Sequence, residues 1–235
     1  MVSALDLVLQ NPALWRGNEC ARVAVPGVPT GFAELDAVLP GGGWPAGALT
    51  EIYAERPGMG ELRLTMPAAA HLTRAERWVA LVTPPHVPYA PALAAQGVKL
   101  ARLLLVQAKT TDEGLWACEQ ALRTRGCGAV LAWLGHVHER GLKRLQLAAE
   151  SGGAAALLFR SARVIPPSPA ALRLHLGRSG NRTAVRILKR RSGSLPEPVM
   201  LDLHGAITER GKIKNKLTAD GRQCMPLVEE IGNGK

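Results

Sequence analysis

The 235-residue sequence predicts an α/β fold: a mostly parallel sheet flanked by helices, ending in an antiparallel basic hairpin. Three observations predict it. Apolar runs of strand length alternate with segments of helical period through the middle of the chain. The prolines Pro166, Pro167 and Pro169 then break that alternation. Beyond them, two strand-like segments flank a turn-forming stretch, the pattern of a hairpin.

In order, the strand candidates of the first part are Leu49–Tyr53, Trp78–Val82, Leu103–Val106, Val130–Leu134 and Ala155–Phe159. Helix candidates between them are Gly60–His71, Pro91–Gln96, Asp112–Arg125 and Glu139–Glu150. Thr110 or Thr111 suits the amino-terminal cap of the third helix, with Asp112 and Glu113 in its first turn, and Gly126 and Gly152 suit left-handed positions after the third and fourth. Leu115, Cys118 and Leu122 share one helical face, as do Leu142, Leu145 and Ala149, and both stripes are expected to pack on the sheet. After the prolines, Leu172–Leu176 and Thr183–Leu188 flank Gly177–Asn181. Alternation there buries Leu172, Leu174, Leu176, Val185 and Ile187 and leaves Arg173, His175 and Arg186 on the other face. A last strand is expected at Val199–Leu203. The organisation expected is an amino-terminal helical segment, 1–28, a core, 29–203, and a basic tail, 204–235, without periodicity and disordered on its own.

Composition narrows the function classes. With 47% hydrophobic and 20% charged residues, and no apolar run approaching 18 residues, neither wholesale disorder nor a membrane span fits. Asp6 and Glu19 interrupt the first 20 residues, which do not read as a secretory leader, so a cytoplasmic protein without membrane contact is expected. Cys20, Cys118, Cys127 and Cys224 are far apart and lack ligand spacing, so they read as isolated thiols and no metal site is expected. The formal charge of +10 is concentrated: residues 160–235 hold 15 basic and 6 acidic side chains and no aromatic one, while residues 1–159 are nearly neutral. That distribution points to a polyanionic partner touched through phosphates rather than by base stacking.

One stretch is more specific. Pro29-Thr30-Gly31-Phe32-Ala33-Glu34-Leu35-Asp36, Pro40-Gly41-Gly42-Gly43-Trp44-Pro45-Ala46-Gly47 and Leu49-Thr50-Glu51-Ile52-Tyr53, followed by Gly58-Met59-Gly60-Glu61-Leu62-Arg63-Leu64, resemble the segment leading into the nucleotide-binding loop of RecA-type recombinases. The match is closer still to the ImuA family, RecA-related and SulA-like accessory proteins of bacterial damage-induced mutagenesis cassettes. In order of elements the resemblance runs from about residue 10 to 203; only residues 29–64 match closely. It implies a RecA-like core.

The loop itself argues against the chemistry of that core. A phosphate-cradling loop reads G-x-x-x-x-G-K-[ST], with glycine N–H groups and a lysine on the phosphates and a hydroxyl on Mg²⁺. Here Glu55 stands at the first glycine, Gly58 and Gly60 remain, Glu61 replaces the lysine and Leu62 replaces the hydroxyl. Two unit charges about 4 Å apart interact by roughly 4 kcal/mol at an effective dielectric near 20, so this reversal opposes triphosphate binding. In the first turn of a helix a carboxylate is favoured by the macrodipole and can accept the unpaired N–H groups, so Glu61 is expected to fill the chain's own anion site. The resemblance also implies an acid near the end of the strand after the third helix, where Ala129–Leu134 has none, and another after the second strand, where Thr83-Pro84-Pro85-His86 has none. His86, His136 and His138 have no nucleophile or carboxylate fixed by spacing. The expectation is a degenerate pseudo-ATPase without catalytic residues or cofactor.

The candidate nucleic-acid-binding residues are Arg160, Arg163, Arg173, Arg178, Arg182, Arg186, Lys189, Arg190 and Arg191, with His175 beside them. The connections that would form the recombinases' DNA loops, residues 135–138 and 160–169, are short. In the amino-terminal segment, Leu7, Leu14 and Trp15 are candidate partner-binding residues; it either docks on a second copy or related subunit, or folds back on its own core. By resemblance the expected role is recruitment in SOS-induced translesion synthesis, with an ImuB-like inactive Y-family polymerase, RecA and an error-prone replicative-type polymerase as partners and DNA backbone as a contact. The alternative is a SulA-like division inhibitor, and a third reading is an active DNA-dependent ATPase.

Overall fold

The computed structural model describes residues 27–56, 58–190, 195 and 197–203. Leu7, Leu14, Trp15, Cys20, Arg191, Cys224 and the 204–235 tail lie outside the described residues. Elements in order are α1 (Ala33–Asp36), β1 (Leu49–Ala54), α2 (Glu61–Arg74), β2 (Trp78–Val82), α3 (Ala90–Ala95), a 3-10 turn (Leu100–Arg102), β3 (Leu103–Val106), α4 (Thr111–Arg123), β4 (Cys127–Trp133), α5 (Glu139–Gly152), β5 (Ala155–Ser161), β6 (Leu172–Ser179), β7 (Arg182–Lys189) and β8 (Val199–Leu201).

They form one eight-stranded sheet in the order β3-β2-β4-β5-β1-β6-β7-β8. All pairs from β3 to β6 are parallel, and β6–β7 and β7–β8 are antiparallel. The α/β fold with its terminal hairpin is therefore the one expected. Both faces are covered. On one side Ile52, Leu64, Leu131, Phe159, Leu174 and Val185 share a core under α1 and α2. On the other, Leu49, Leu115, Cys118, Leu122, Leu142 and Leu145 pack beneath α4 and α5. Burial on both faces explains why β1 and β4 read as continuous apolar runs. No helix among the described residues is long and apolar enough to cross a membrane.

Local chemistry sets the boundaries. Thr110 caps α4 by accepting from Glu113 N–H at 3.2 Å, and Glu113 Oε2 accepts from Lys109 N–H at 2.9 Å, a reciprocal cap. Gly126 has the expected positive φ of 91°, but after α5 the left-handed residue is Gly153 (φ 69°), not Gly152. Gly152 is needed for a different reason: a Cβ there would lie 1.8 Å from Leu122 O, where α5 crosses the end of α4. β4 begins at Cys127, three residues before the expected Val130. Gly128 weakens the strand pattern, yet Leu72 Cδ2 would stand 2.8 Å from a Cβ at that position, so the close approach of α2 selects glycine inside a strand. The hairpin strands extend to Ser179 and start again at Arg182, so the turn is the two residues Gly180-Asn181 rather than the wider Gly177–Asn181. β8 stops at Leu201, short of Leu203.

Candidate functional site

In a parallel sheet, ligand sites form beyond the carboxyl ends of the strands. Here a cleft of about 490 Å³ opens at that edge, lined by Ala54 of β1, Arg56 and Glu61 of the following loop and helix, Trp133 of β4, Phe159 and Arg160 of β5, and the connections after β4 and β5.

The loop has the shape of a phosphate cradle with altered side chains. Gly58 and Gly60 have φ of 87° and 105°, and a Cβ at Gly60 would lie 2.6 Å from Leu203 Cδ1, so both conformation and packing require glycine there. Glu55, Arg56 and Gly58 are exposed, while Leu62 is partly buried against the core. Glu61 opens α2, where the macrodipole favours it, and is only 8% exposed. The expectation that it accepts the free N–H groups of the loop is not met: among the described residues its carboxylate has neither a hydrogen bond nor an ion pair. At the end of β4, Trp133 stacks on Phe159 at 4.4 Å and 19°, occupying the strand end where an acid was expected by resemblance. Thr83, at the end of β2, has φ of 51°, a strained conformation for a β-branched residue, held by its N–H donating to Val106 O at 2.7 Å. His86, His136 and His138 are exposed; His136 and His138 meet edge to face at 4.7 Å.

Beneath the cleft lies an ion cluster that sequence reasoning missed. Glu51, at the centre of β1, is fully buried. Arg160 Nη1 donates to Glu51 Oε1 at 2.6 Å and Arg173 Nε to Oε2 at 3.0 Å. Arg173 Nη2 also donates to Tyr53 Oη at 2.8 Å and to Pro166 O at 2.6 Å. Burial pushes the Tyr53 hydroxyl above its ordinary range, an effect the Arg173 hydrogen bond partly offsets. Arg160 and Arg173 were candidate phosphate contacts, but their side chains are 8% and 11% exposed and their charge is committed to Glu51. An unpaired buried carboxylate would cost several kcal/mol, about the scale that holds two guanidinium groups inside. The signal available in the sequence was Glu51 itself, an acid in an otherwise apolar strand.

The remaining basic candidates occupy the hairpin and its approach. Arg163, Arg178, Arg182, Arg186 and Lys189 are exposed. Several lean on backbone carbonyls: Arg178 on Gly180 at 3.2 Å, Arg182 on Met200 at 2.5 Å and Lys189 on Ser168 at 3.1 Å. Arg190 donates to Val38 O. His175 stands opposite Arg186 across the β6–β7 pair, on the face turned away from the core. Because β6 runs parallel to β1, with Leu176 beside Ala54, the hairpin tip projects past the same sheet edge as the cleft.

Comparison with known proteins agrees with this architecture. The family model described as "Cell division inhibitor SulA" matches residues 47–156. Protein RecA of Crocosphaera subtropica is 31% identical over 119 residues, 51% of this chain and 34% of the relative. Protein RecA of Prochlorococcus marinus is 30% identical over the same share of this chain. Cell division inhibitor SulA of Edwardsiella piscicida is 31% identical over 97 residues, 41% of this chain and 58% of the relative. The chain thus spans about a third of the length of these RecA relatives. Its core is related to RecA and SulA proteins.

Proposed function

We propose that this chain is a non-catalytic RecA-like accessory factor of SOS-induced translesion DNA synthesis. It works beside an ImuB-like inactive Y-family polymerase, RecA and an error-prone replicative-type polymerase, and touches DNA through backbone phosphates. The observation that carries this reading is Glu61: the core keeps its similarity to RecA through the loop, yet an acid stands where a phosphate-binding lysine belongs. A frame kept without its nucleotide chemistry suits recognition of other proteins, and the exposed arginines of the hairpin suit a polyanion. Pull-down of purified RecA and ImuB tests the reading, together with damage-induced mutation counts in cells lacking the chain. Binding of at least one partner and a loss of induced mutation are expected; binding of neither sinks it. Saturable ATP binding that is lost on altering Gly60, with hydrolysis stimulated by single-stranded DNA, would overturn the non-catalytic part.

A second reading rests on the match of residues 47–156 to the SulA family model. Under it the chain restrains cell division. Overexpression that filaments cells while damage-induced mutation is unchanged favours this reading over the first.

A further inference from the structure

The cleft holds a carboxylate that nothing among the described residues uses. Glu61 is more than nine-tenths buried, lines the cleft and has no donor, so its lost hydration is not replaced by the protein. A ligand bringing hydrogen-bond donors would replace it.

The rest of the lining narrows that ligand. Trp133, stacked on Phe159, adds an aromatic wall, which favours a flat partner. Arg56 and Arg163 are exposed and also line the cleft. Together with the amino terminus of α2, they disfavour a cationic partner. An isolated phosphate suits the arginines but not Glu61. The fitting ligand is therefore planar and neutral, carries adjacent donors, and has an anionic group attached. Among nucleobases, guanine alone presents two neighbouring donors, N1–H and the N2 amino group, on its Watson–Crick edge. Adenine and cytosine place an acceptor beside their donor, and thymine flanks its N–H with carbonyls.

We propose that this cleft is a guanine-nucleotide site, in which Glu61 accepts from the Watson–Crick edge, Trp133 stacks on the base and Arg56 and Arg163 hold the phosphate. The base, rather than the phosphates, faces the loop. A cleft of about 490 Å³ accommodates a nucleotide. The source is either a free nucleotide or a guanine unstacked from a single strand, which proteins commonly read on this edge. The inference is independent of the role in translesion synthesis.

The experiment measures binding of the intact chain to dGMP, dIMP and dAMP, and to oligothymidylates carrying one central deoxyguanosine, deoxyinosine or deoxyadenosine. Inosine keeps N1–H and lacks the N2 amino group. Guanine is expected to bind about tenfold tighter than hypoxanthine or adenine, reflecting one lost hydrogen bond to a charged group. Glu61→Gln removes that preference, whereas Arg163→Ala weakens all ligands alike. Preference among the free nucleotides alone identifies a nucleotide site, and preference among the oligonucleotides alone identifies a strand-reading site; either supports guanine. Equal affinities within twofold in both arms overturn the proposal, as does a preference that survives in folded Glu61→Gln protein. Should that variant fail to fold, the guanine-to-hypoxanthine ratio of the unaltered chain decides. Partner pull-downs do not depend on the base at this site, so failure here and failure of the accessory role are read separately.

Discussion

Glu51 shows how one residue can reassign others. Its carboxylate takes Arg160 and Arg173 out of the exposed basic set and ties β5, β1 and β6 together. Removing the acid leaves two guanidinium groups buried without a counter-charge, and Glu51→Gln is expected to destabilise the fold by about 3–5 kcal/mol, the usual cost of breaking a buried pair from one side. Urea denaturation followed by circular dichroism measures this; an unchanged midpoint would mean the cluster is solvated. The buried thiols supply a second prediction. Burial pushes Cys118 up to about 12 and Cys127 up to about 11, from an ordinary value of 9.0. Near pH 8 both are protonated and enclosed, so iodoacetamide should label them only after unfolding, as peptide mapping by mass spectrometry would report. The same shifts set an alkaline limit. Above pH 9 the unfolded chain releases these protons while the folded chain retains them, so stability present below pH 9 falls as pH rises toward 11–12. Cys118→Ala should flatten that decline, and equal alkaline slopes in the two proteins would contradict it.

At the scale of elements, local pattern carried most of the fold. β2 and β3 occupy the spans their apolar runs mark, and α4 begins at the cap that Thr110 and Glu113 form, because these signals act within a few residues. Where contact is long-range, the pattern fails. Gly128 belongs to β4 because α2 presses on it, and Arg160 and Arg173 belong to Glu51 across separations of 109 and 122 residues that only the β5-β1-β6 order brings together. The candidate site divides in the same way. Glu61 and the altered loop are visible as departures from a local motif, whereas the Trp133–Phe159 wall joins two strands and requires the sheet. The hairpin is the element on which phosphate contact is argued, since Arg178 and Arg182 flank its two-residue turn and Arg186 lies on its open face. Replacing all three with Gln should lower the magnitude of the slope of log affinity against log salt by about 2–3 for duplex DNA, at roughly 0.9 per phosphate contact. An unchanged slope in filter binding at several salt concentrations would move the contact elsewhere.

Across the whole molecule, charge and topology converge on one edge of the sheet. The cleft sits beyond β1, β4 and β5, and β6 carries the hairpin tip four residues past the one beside Ala54, roughly 13 Å at 3.3 Å per residue. The charge is also more localised than its total suggests. Residues 160–203 hold 9 basic and 2 acidic side chains, and residues 204–235 hold 6 and 4, so the excess belongs to the hairpin region far more than to the tail. Arg160 and Arg173 are committed to Glu51, yet five exposed cations, Arg163, Arg178, Arg182, Arg186 and Lys189, remain on that region. If binding to a polyanion follows local charge, a chain ending at Leu203 should keep most of the salt dependence of the full chain on both single- and double-stranded DNA. Comparison of the two slopes checks this directly. A slope that collapses on truncation would place the contact on the tail and leave the arginines of the hairpin a solvated face.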